Sequence, residues 1–357
     1  MAATRSGPIR VLVVDDSATA RDLISALIET DPRLMVCGQA VDGRAAVQQA
    51  LALHPDLVTM DLRMPEMDGL QAITEIMDQC PTRILVVSDA ADAANAMAAV
   101  ARGALDATFK PNLDEGPTFT ARLRMLAGVP VIRHLRSLAE ARPAPQFLAP
   151  SASAVGSGTP VIAIAVSTGG PQALARLLPA LPAGLRAPVL IAQHISDGFA
   201  QGMAQWLDTL CPLNVAVACD GEALLPGRIY LADPATHMTL TPGYRIRLLP
   251  CEPADLYHPS CDRLLSSVAA MGRLAIGVIL TGMGRDGARG MVAIAAAGGV
   301  TLAQDEASSV VFGMNREGIL AGGVQKVLPL DAIAGELTRL AGSVSSPPIP
   351  SAAGVRP

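Results

Sequence analysis

Aromatic side chains are scarce in this chain: one Trp, three Tyr and five Phe serve 357 residues. Small aliphatic residues must therefore fill the interior, which suits tightly packed helix-on-sheet layers. No two of the six cysteines have Cys-x-x-Cys spacing. A chain of this length needs no disulfide framework, so Cys37, Cys80, Cys211, Cys219, Cys251 and Cys261 read as reduced thiols. Charge is not blocked either. The formal net charge of −5 comes from interspersed acids and bases, which excludes the basic stripe of a nucleic-acid binder. Long apolar runs are also missing: the uncharged stretch 290–304 is broken by Gly298-Gly299 and is too short to span a bilayer. The first seven residues lead directly into a strand, without the apolar core and cleavage site of a signal peptide. The expectation is a cytoplasmic protein with no direct membrane insertion and no nucleic-acid partner.

The length suits two domains with well-buried cores. From Ile9 to about Leu126 the pattern alternates strand and helix, with strands near 9–15, 35–41, 57–61, 83–88 and 107–109. Helices follow Ser17, Asp42, Asp68 and roughly Asp89, where a polar side chain can cap free N–H groups. This predicts an α/β fold: a doubly wound, five-stranded parallel sheet over 8–127. Residues 128–158 are rich in Pro and Ala and read as a linker. A second alternating region, 159–342, predicts an α/β domain with a mainly parallel sheet and an antiparallel edge, the latter from short strands near 228–232, 237–240 and 244–249. Residues 343–357 are Ser/Pro/Ala-rich and read as a disordered tail.

In the first region the apolar runs end in Asp15-Asp16, Asp61, Ser88 and Lys110. Open α/β sheets bind ligands at such strand ends. Adjacent carboxylates repel one another unless a hard cation lies among them, so Asp15, Asp16 and Asp61 suit Mg2+. A free Asp61 oxygen can then attack phosphorus, Ser88 can hydrogen-bond the phosphoryl group, and Lys110 can pair with it. This half resembles the response-regulator receiver domain, through the residues just named, the loop Met64-Pro65-Glu66-Met67-Asp68-Gly69 and Lys110-Pro111. The resemblance implies a flavodoxin-like fold, phosphoryl transfer to Asp61 from a histidine kinase, a requirement for Mg2+, and transmission of the change by Ser88 and Lys110.

In the second region three apolar runs end in or near Ser167, His194 and Asp286. Carboxyl ends of parallel strands share one crevice, so the three can converge as nucleophile, general base and orienting acid. Ser167-Thr168-Gly169-Gly170-Pro171 follows a strand and opens a helix, with Pro171 placed for the first turn. Such a turn can also cradle a phosphate, but no Gly-x-x-x-x-Gly-Lys-Ser/Thr follows it. Ala165 stands where Gly-x-Ser-x-Gly has its first glycine, and the order Ser, His, Asp is not that of α/β-hydrolases. A triad is defined by geometry and not by order. Backbone N–H groups of the loops Thr168-Gly169-Gly170 and Gly282-Met283-Gly284 are candidates for stabilising an oxyanion. No hydrolase cofactor is expected, and His54, His134 and His237 have no ligand-spaced partner that would suggest a metal role.

Across both domains and in the same order, the chain resembles the chemotaxis protein-glutamate methylesterases, the CheB-type response regulators. The stretches that carry this are Ser167–Gly170, Gln193-His194, Pro259-Ser260-Cys261-Asp262, residues 280–288 and residues 303–314. Departures are Val166, Ser196, His258 and Asn315, where the family usually has Ala, Pro, Arg and Pro. The resemblance implies hydrolysis of glutamate methyl esters, with glutamine deamidation in many members. The implied partner is the methylated cytoplasmic region of chemoreceptors. It also implies Ser167 as nucleophile, His194 as base, Asp286 as orienting acid, and Met283 as oxyanion donor through its N–H.

A receiver fused to an esterase suggests control of access: the unphosphorylated receiver packs over the 167/194/286 crevice, and phosphorylation at Asp61 shifts the population toward an open arrangement. Two other readings stand beside this one. The first is a receiver-controlled binding or phosphate-sink protein with an inactive hydrolase domain, and the second is a general serine esterase or amidase acting on small substrates.

Overall fold

A computed structural model describes residues 7–89, 93–129, 155–156 and 158–343. The linker expected at 128–158 and the tail expected at 343–357 lie almost wholly outside these residues, as does His134.

The first five apolar runs form β1 (Ile9–Val14), β2 (Leu34–Ala40), β3 (Leu57–Met60), β4 (Arg83–Ser88) and β5 (Asp106–Phe109), all parallel in the order β2-β1-β3-β4-β5. Their continuous apolar character follows from burial on both faces. Helices α1 (Ala18–Glu29), α2 (Gly43–Leu53), α3 (Gly69–Gln79), α4 (Ala93–Ala101) and α5 (Gly116–Ala127) cover the sheet. The side chains of Asp42 and Asp68 accept hydrogen bonds from the N–H groups of Ala45 and Gln71, each at 2.8 Å, and Ser17 caps α1 in the same way. The cap expected near Asp89 falls beside residues that are not described.

The second domain begins with β6 (Val161–Val166), α6 (Gly170–Leu177), β7 (Val189–Gln193), α7 (Ala200–Leu210), β8 (Asn214–Val217) and β9 (Arg228–Leu231). A hairpin follows, β10 (Thr236–Leu240) with β11 (Ile246–Pro250), then α8 (Cys261–Val268), β12 (Ala275–Ile279), α9 (Ala288–Ala296), β13 (Val300–Gln304), α10 (Met314–Leu320), β14 (Lys326–Leu328) and α11 (Leu330–Ser343). Seven strands form one parallel sheet in the order β14-β13-β12-β6-β7-β9-β8. The antiparallel strands pair separately from it. Strand order reverses at β6, which lies between β7 and β12, and the crevice at that reversal is where ligands bind in such sheets. Among the described residues no helix is long and apolar enough to cross a membrane.

The two domains share packing. One cluster of buried apolar side chains runs from the receiver through α4 into α6 and α7. Phe109, at the end of β5, lies 4.6 Å centroid to centroid from Phe199, and the Gln172 amide donates to the Ala104 carbonyl at 2.8 Å. Val310 and Val311, from the loop after β13, pack against the receiver's other apolar cluster.

Gly170 illustrates how tightly the turn after Ser167 is built. A Cβ there would stand 1.9 Å from Gln193 Oε1 and 2.7 Å from Val166 Cγ2. The Gln193 amide cannot swing aside freely, because its Nε2 donates to the carbonyls of Ser167 and His194, both at 2.8 Å. Gly170→Ala is therefore expected to cost about 1–3 kcal/mol, a fall in Tm of roughly 2–12 °C for a domain of this size. Gly184→Ala, at an exposed position with nothing within 4 Å of the added methyl, should leave Tm unchanged. Differential scanning calorimetry of the two variants checks the contrast.

Candidate functional site

Three adjacent strands deliver the hydrolytic candidates. Ser167 follows β6, His194 follows β7, and Asp286 lies in the loop between β12 and α9. The ladder fixes the first two, since Ser167 N–H donates to the Thr281 carbonyl and His194 N–H to the Val166 carbonyl, both at 3.0 Å. Gly169, at φ +75°, turns the chain into α6 directly after the serine.

His194 Nε2 lies 2.8 Å from Asp286 Oδ2, with both side chains largely buried. Tyr257 stacks on the imidazole at 5.1 Å between centroids and 13° between planes, so the ring is held in-plane by a carboxylate and across its face by a phenol. Among the described residues His194 Nδ1 and Ser167 Oγ have no hydrogen-bond partner, and no bond joins the two. Ser167 is 8 % exposed. The loop carrying Gly282 and Met283 lies against it, since a Cβ on Gly282 would stand 2.7 Å from Ser167 Cβ. The N–H groups of Thr168 and Met283 donate to nothing among the described residues.

Asp286 is anchored from several directions. Its Oδ2 also accepts from Cys261 N–H at 2.6 Å, and its Oδ1 accepts from Asp262 N–H at 2.9 Å, Gly287 N–H at 3.1 Å and Ser260 Oγ at 3.3 Å. The carboxylate thus sits at the N-terminus of α8, where unpaired N–H groups and the helix dipole favour negative charge. Burial pushes the Asp286 carboxyl up, but the His194 contact and the Asp262 and Cys261 amides outweigh it and hold it below its ordinary value. Asp262 returns the favour to α9: its Oδ1 accepts from Gly287 and Gly290 N–H at 3.0 and 2.9 Å, and its Oδ2 from Arg289 Nε at 2.8 Å.

Several of these partners were not legible as functional residues. Ser260, Cys261 and Asp262 belong to a stretch that carried the family resemblance without a role derived for it. A capping serine with an acid in the first turn was the available signal. His237, which is fully buried, has no spacing signal at all. Its Nδ1 accepts from Ser260 N–H at 2.9 Å and its Nε2 meets Asp255 Oδ2 at 2.8 Å, while Arg263 holds the other Asp255 oxygen at 3.0 Å. The Ser260 amide fixes the tautomer, with the proton on Nε2. His237 thereby pins the start of the helix that cradles Asp286.

In the receiver, Asp15, Asp16 and Asp61 bring one carboxylate oxygen each within 4.8 Å of one another, the first and last buried and Asp16 exposed. Burial, reinforced by the Asp15 charge, pushes the Asp61 carboxyl above its ordinary value despite Lys110. Lys110 Nζ lies 2.8 Å from Asp15 Oδ2 and 3.2 Å from Asp61 Oδ2, with Asp89, read from the sequence only as a helix cap, at 3.8 Å. Burial works against the Lys110 charge, but the Asp15 and Asp61 carboxylates outweigh it and raise its pKa. Among the described residues Asp15 Oδ2 has the Lys110 ammonium at 2.8 Å but no directed hydrogen bond. An all-oxygen, electron-rich cluster of this kind fits a hard divalent cation. Ser88 ends β4 in full burial, opposite Phe109 in the ladder, and its carbonyl accepts from Lys110 N–H at 3.2 Å.

Comparison with known proteins gives the same division. The family described as CheB methylesterase matches residues 162–337, and the response regulator receiver domain matches residues 11–121. A protein-glutamate methylesterase/protein-glutamine glutaminase of Paramagnetospirillum magneticum is 48% identical over 94% of this chain and 97% of its own length. A second, from Anaeromyxobacter dehalogenans, is 45% identical over 93% of this chain and 97% of its own. The crystal structure of the Thermotoga maritima CheB methylesterase catalytic domain is 35% identical, covering 51% of this chain and 98% of that one, with a TM-score of 0.49. The chain belongs to the CheB methylesterase family and carries a response regulator receiver domain ahead of its methylesterase unit.

Proposed function

We propose that this chain is a phosphorylation-regulated serine hydrolase that demethylates glutamate methyl esters on the cytoplasmic region of chemoreceptors, in adaptation of a chemotaxis two-component system. The observation that carries the catalytic reading is the His194–Asp286 pair at 2.8 Å, on strand ends that flank Ser167. With Nε2 engaged by Asp286, Nδ1 is the nitrogen left to accept the Ser167 proton. The Ser167 oxygen attacks the ester carbonyl, and the developing oxyanion takes hydrogen bonds from the Met283 and Thr168 N–H groups. His194 returns the proton to methanol as the C–O bond breaks. Water then hydrolyses the acyl-enzyme by the same proton route. A primary amide fits the same steps with ammonia leaving, which extends the reading to glutamine side chains, in keeping with the name carried by the relatives.

In the receiver, Asp61 takes the phosphoryl group from a histidine kinase. Mg2+ held by Asp15, Asp16 and Asp61 would neutralise charge on the phosphoryl oxygens. Phosphorylation puts new negative charge beside Lys110, which now bridges Asp15 and Asp61. Lys110 follows Phe109, whose ring packs on Phe199 beside α7, so a shift of the ammonium pulls directly on the interdomain contact. Gln172 and Val310 connect the same face to the Ser167 turn: Gln172 lies in α6, and Val310 would meet a Cβ on Gly169 at 2.5 Å. Resting inhibition by the receiver and its relief by phosphorylation follow.

Ser167→Ala should reduce methanol release from methylated receptor by at least about 10⁴-fold, and Asp286→Asn by roughly 10⁴-fold, with Tm of the serine variant preserved. Gas-chromatographic methanol assays on receptor-bearing membranes check both; undiminished release from Ser167→Ala would remove the serine mechanism. Competition between methylated receptor and a generic small ester separates this reading from a general esterase.

Asp61→Asn should abolish activation by a small-molecule phosphodonor. Phe109→Ala, which deletes the ring contact worth about 0.5–1.5 kcal/mol beyond its buried area, should raise phosphodonor-independent methanol release. Rates that ignore the donor in both the parent chain and Asp61→Asn would overturn the coupling.

A further inference from the structure

Beneath the His194–Asp286 pair lies a donor atom that the proposed hydrolysis does not use. Cys261 opens α8 and is fully buried, with its Sγ 3.4 Å from His194 Nε2 and directed to the Ala192 carbonyl, also at 3.4 Å. An imidazole nitrogen, a thiol sulfur and a carboxylate oxygen thus lie within 4.8 Å of one another. We propose that His194, Cys261 and Asp286 form an inhibitory site for a borderline-soft divalent cation, Zn2+ above all, with water completing the coordination.

The donor set points to that class of ion. A thiolate with an imidazole selects zinc over magnesium or calcium, whereas the receiver's all-oxygen cluster has the opposite preference. The spacing is close to what the ion needs. Tetrahedral zinc with bonds of about 2.0–2.1 Å to nitrogen and 2.3 Å to sulfur places those two ligands roughly 3.6 Å apart, against the 3.4 Å present between Sγ and Nε2. A nitrogen and a carboxylate oxygen would stand about 3.3 Å apart on the same ion. The ring and Asp286, now at 2.8 Å, need to part by only a fraction of an ångström. The His194 side chain is 13% exposed and offers the route in.

The consequence for catalysis follows from proton positions. With Nε2–H donated to Asp286, the Nδ1 lone pair is free to act as a base. Zinc on Nε2 needs the lone pair of that nitrogen. The ring proton then resides on Nδ1, and the thiol proton leaves to solvent as Zn–S forms. The imidazole faces Ser167 as a donor, with nothing left to accept the hydroxyl proton. Inhibition in this form rests on the serine-hydrolase reading above; metal binding at the three ligands does not.

The test therefore has two arms on the full-length protein in Mg2+ buffer. In the first, Co2+ is titrated as a spectroscopic stand-in, and the parent chain should develop a near-ultraviolet thiolate-to-cobalt charge-transfer band. Cys261→Ser, Cys261→Val and His194→Ala should lack it, while Cys219→Ser, at an exposed thiol, should retain it. No band in the parent chain, or a band that survives in the Cys261 variants, overturns the site. In the second arm, methanol release is measured at buffered free Zn2+, and each variant is compared with its own zinc-free rate. Losing a direct ligand should weaken zinc sensitivity by more than the roughly 10–100-fold typical of an outer partner. Equal sensitivity in the parent chain and both Cys261 variants, or a Cys261-dependent band without loss of methanol release, overturns the inhibition. If the chelated parent chain releases no methanol at all, the hydrolase reading fails and the cobalt band alone decides the metal site.

Discussion

Two helices in the second domain exchange carboxylates, and the placement of Asp286 against His194 hangs on that exchange. Asp286, just ahead of α9, accepts the first amides of α8, and Asp262, in the first turn of α8, accepts the first amides of α9. Each acid supplies what the other helix lacks at its N-terminus, so neither helix can shift without exposing buried N–H groups. Removing one partner from such a buried, charge-assisted set costs more than a typical hydrogen bond, because the groups left behind are unsatisfied. His237 and Asp255 extend the lock to the hairpin, since His237 lies in β10.

This arrangement accounts for the acid's character. Asp286 keeps its charge in a buried position because three N–H groups, the Ser260 hydroxyl and an imidazole face it. A carboxylate so held orients the imidazole and stabilises the imidazolium without taking its proton. Tyr257 adds the second axis of alignment by lying flat on the ring. The His194 ring is therefore positioned by groups drawn from the loop before α8, from α8 itself and from the loop before α9.

Much of this was readable from residues alone. Continuous apolar runs of strand length gave away the buried parallel strands, and their ends held Ser167, His194, Asp61 and Lys110 because strand ends are where open sheets place chemistry. Asp42 and Asp68 were visible as caps for the same local reason. Elements of three to seven residues, β8, β14 and α10, were missed because a periodicity needs a longer window to register. His237 was given no role because its partners are 18 and 23 residues away, across a loop whose path no pattern encodes. Cys261 likewise lies next to His194 only through the packing of α8 on the sheet.

The shared apolar cluster between receiver and hydrolase has a bearing on how finely such a protein can be tuned. Phe109, Phe199 and their neighbours belong to one packed interior, so under the proposed coupling the closed arrangement is favoured by a free energy that any substitution along the seam adjusts in small steps. On that proposal the quantity sets the idle speed of the enzyme, since the fraction of molecules open without a signal would depend exponentially on it. Signal gain and background leak are then two readings of a single seam. A lineage can trade one against the other by exchanging a methyl group far from either chemical centre.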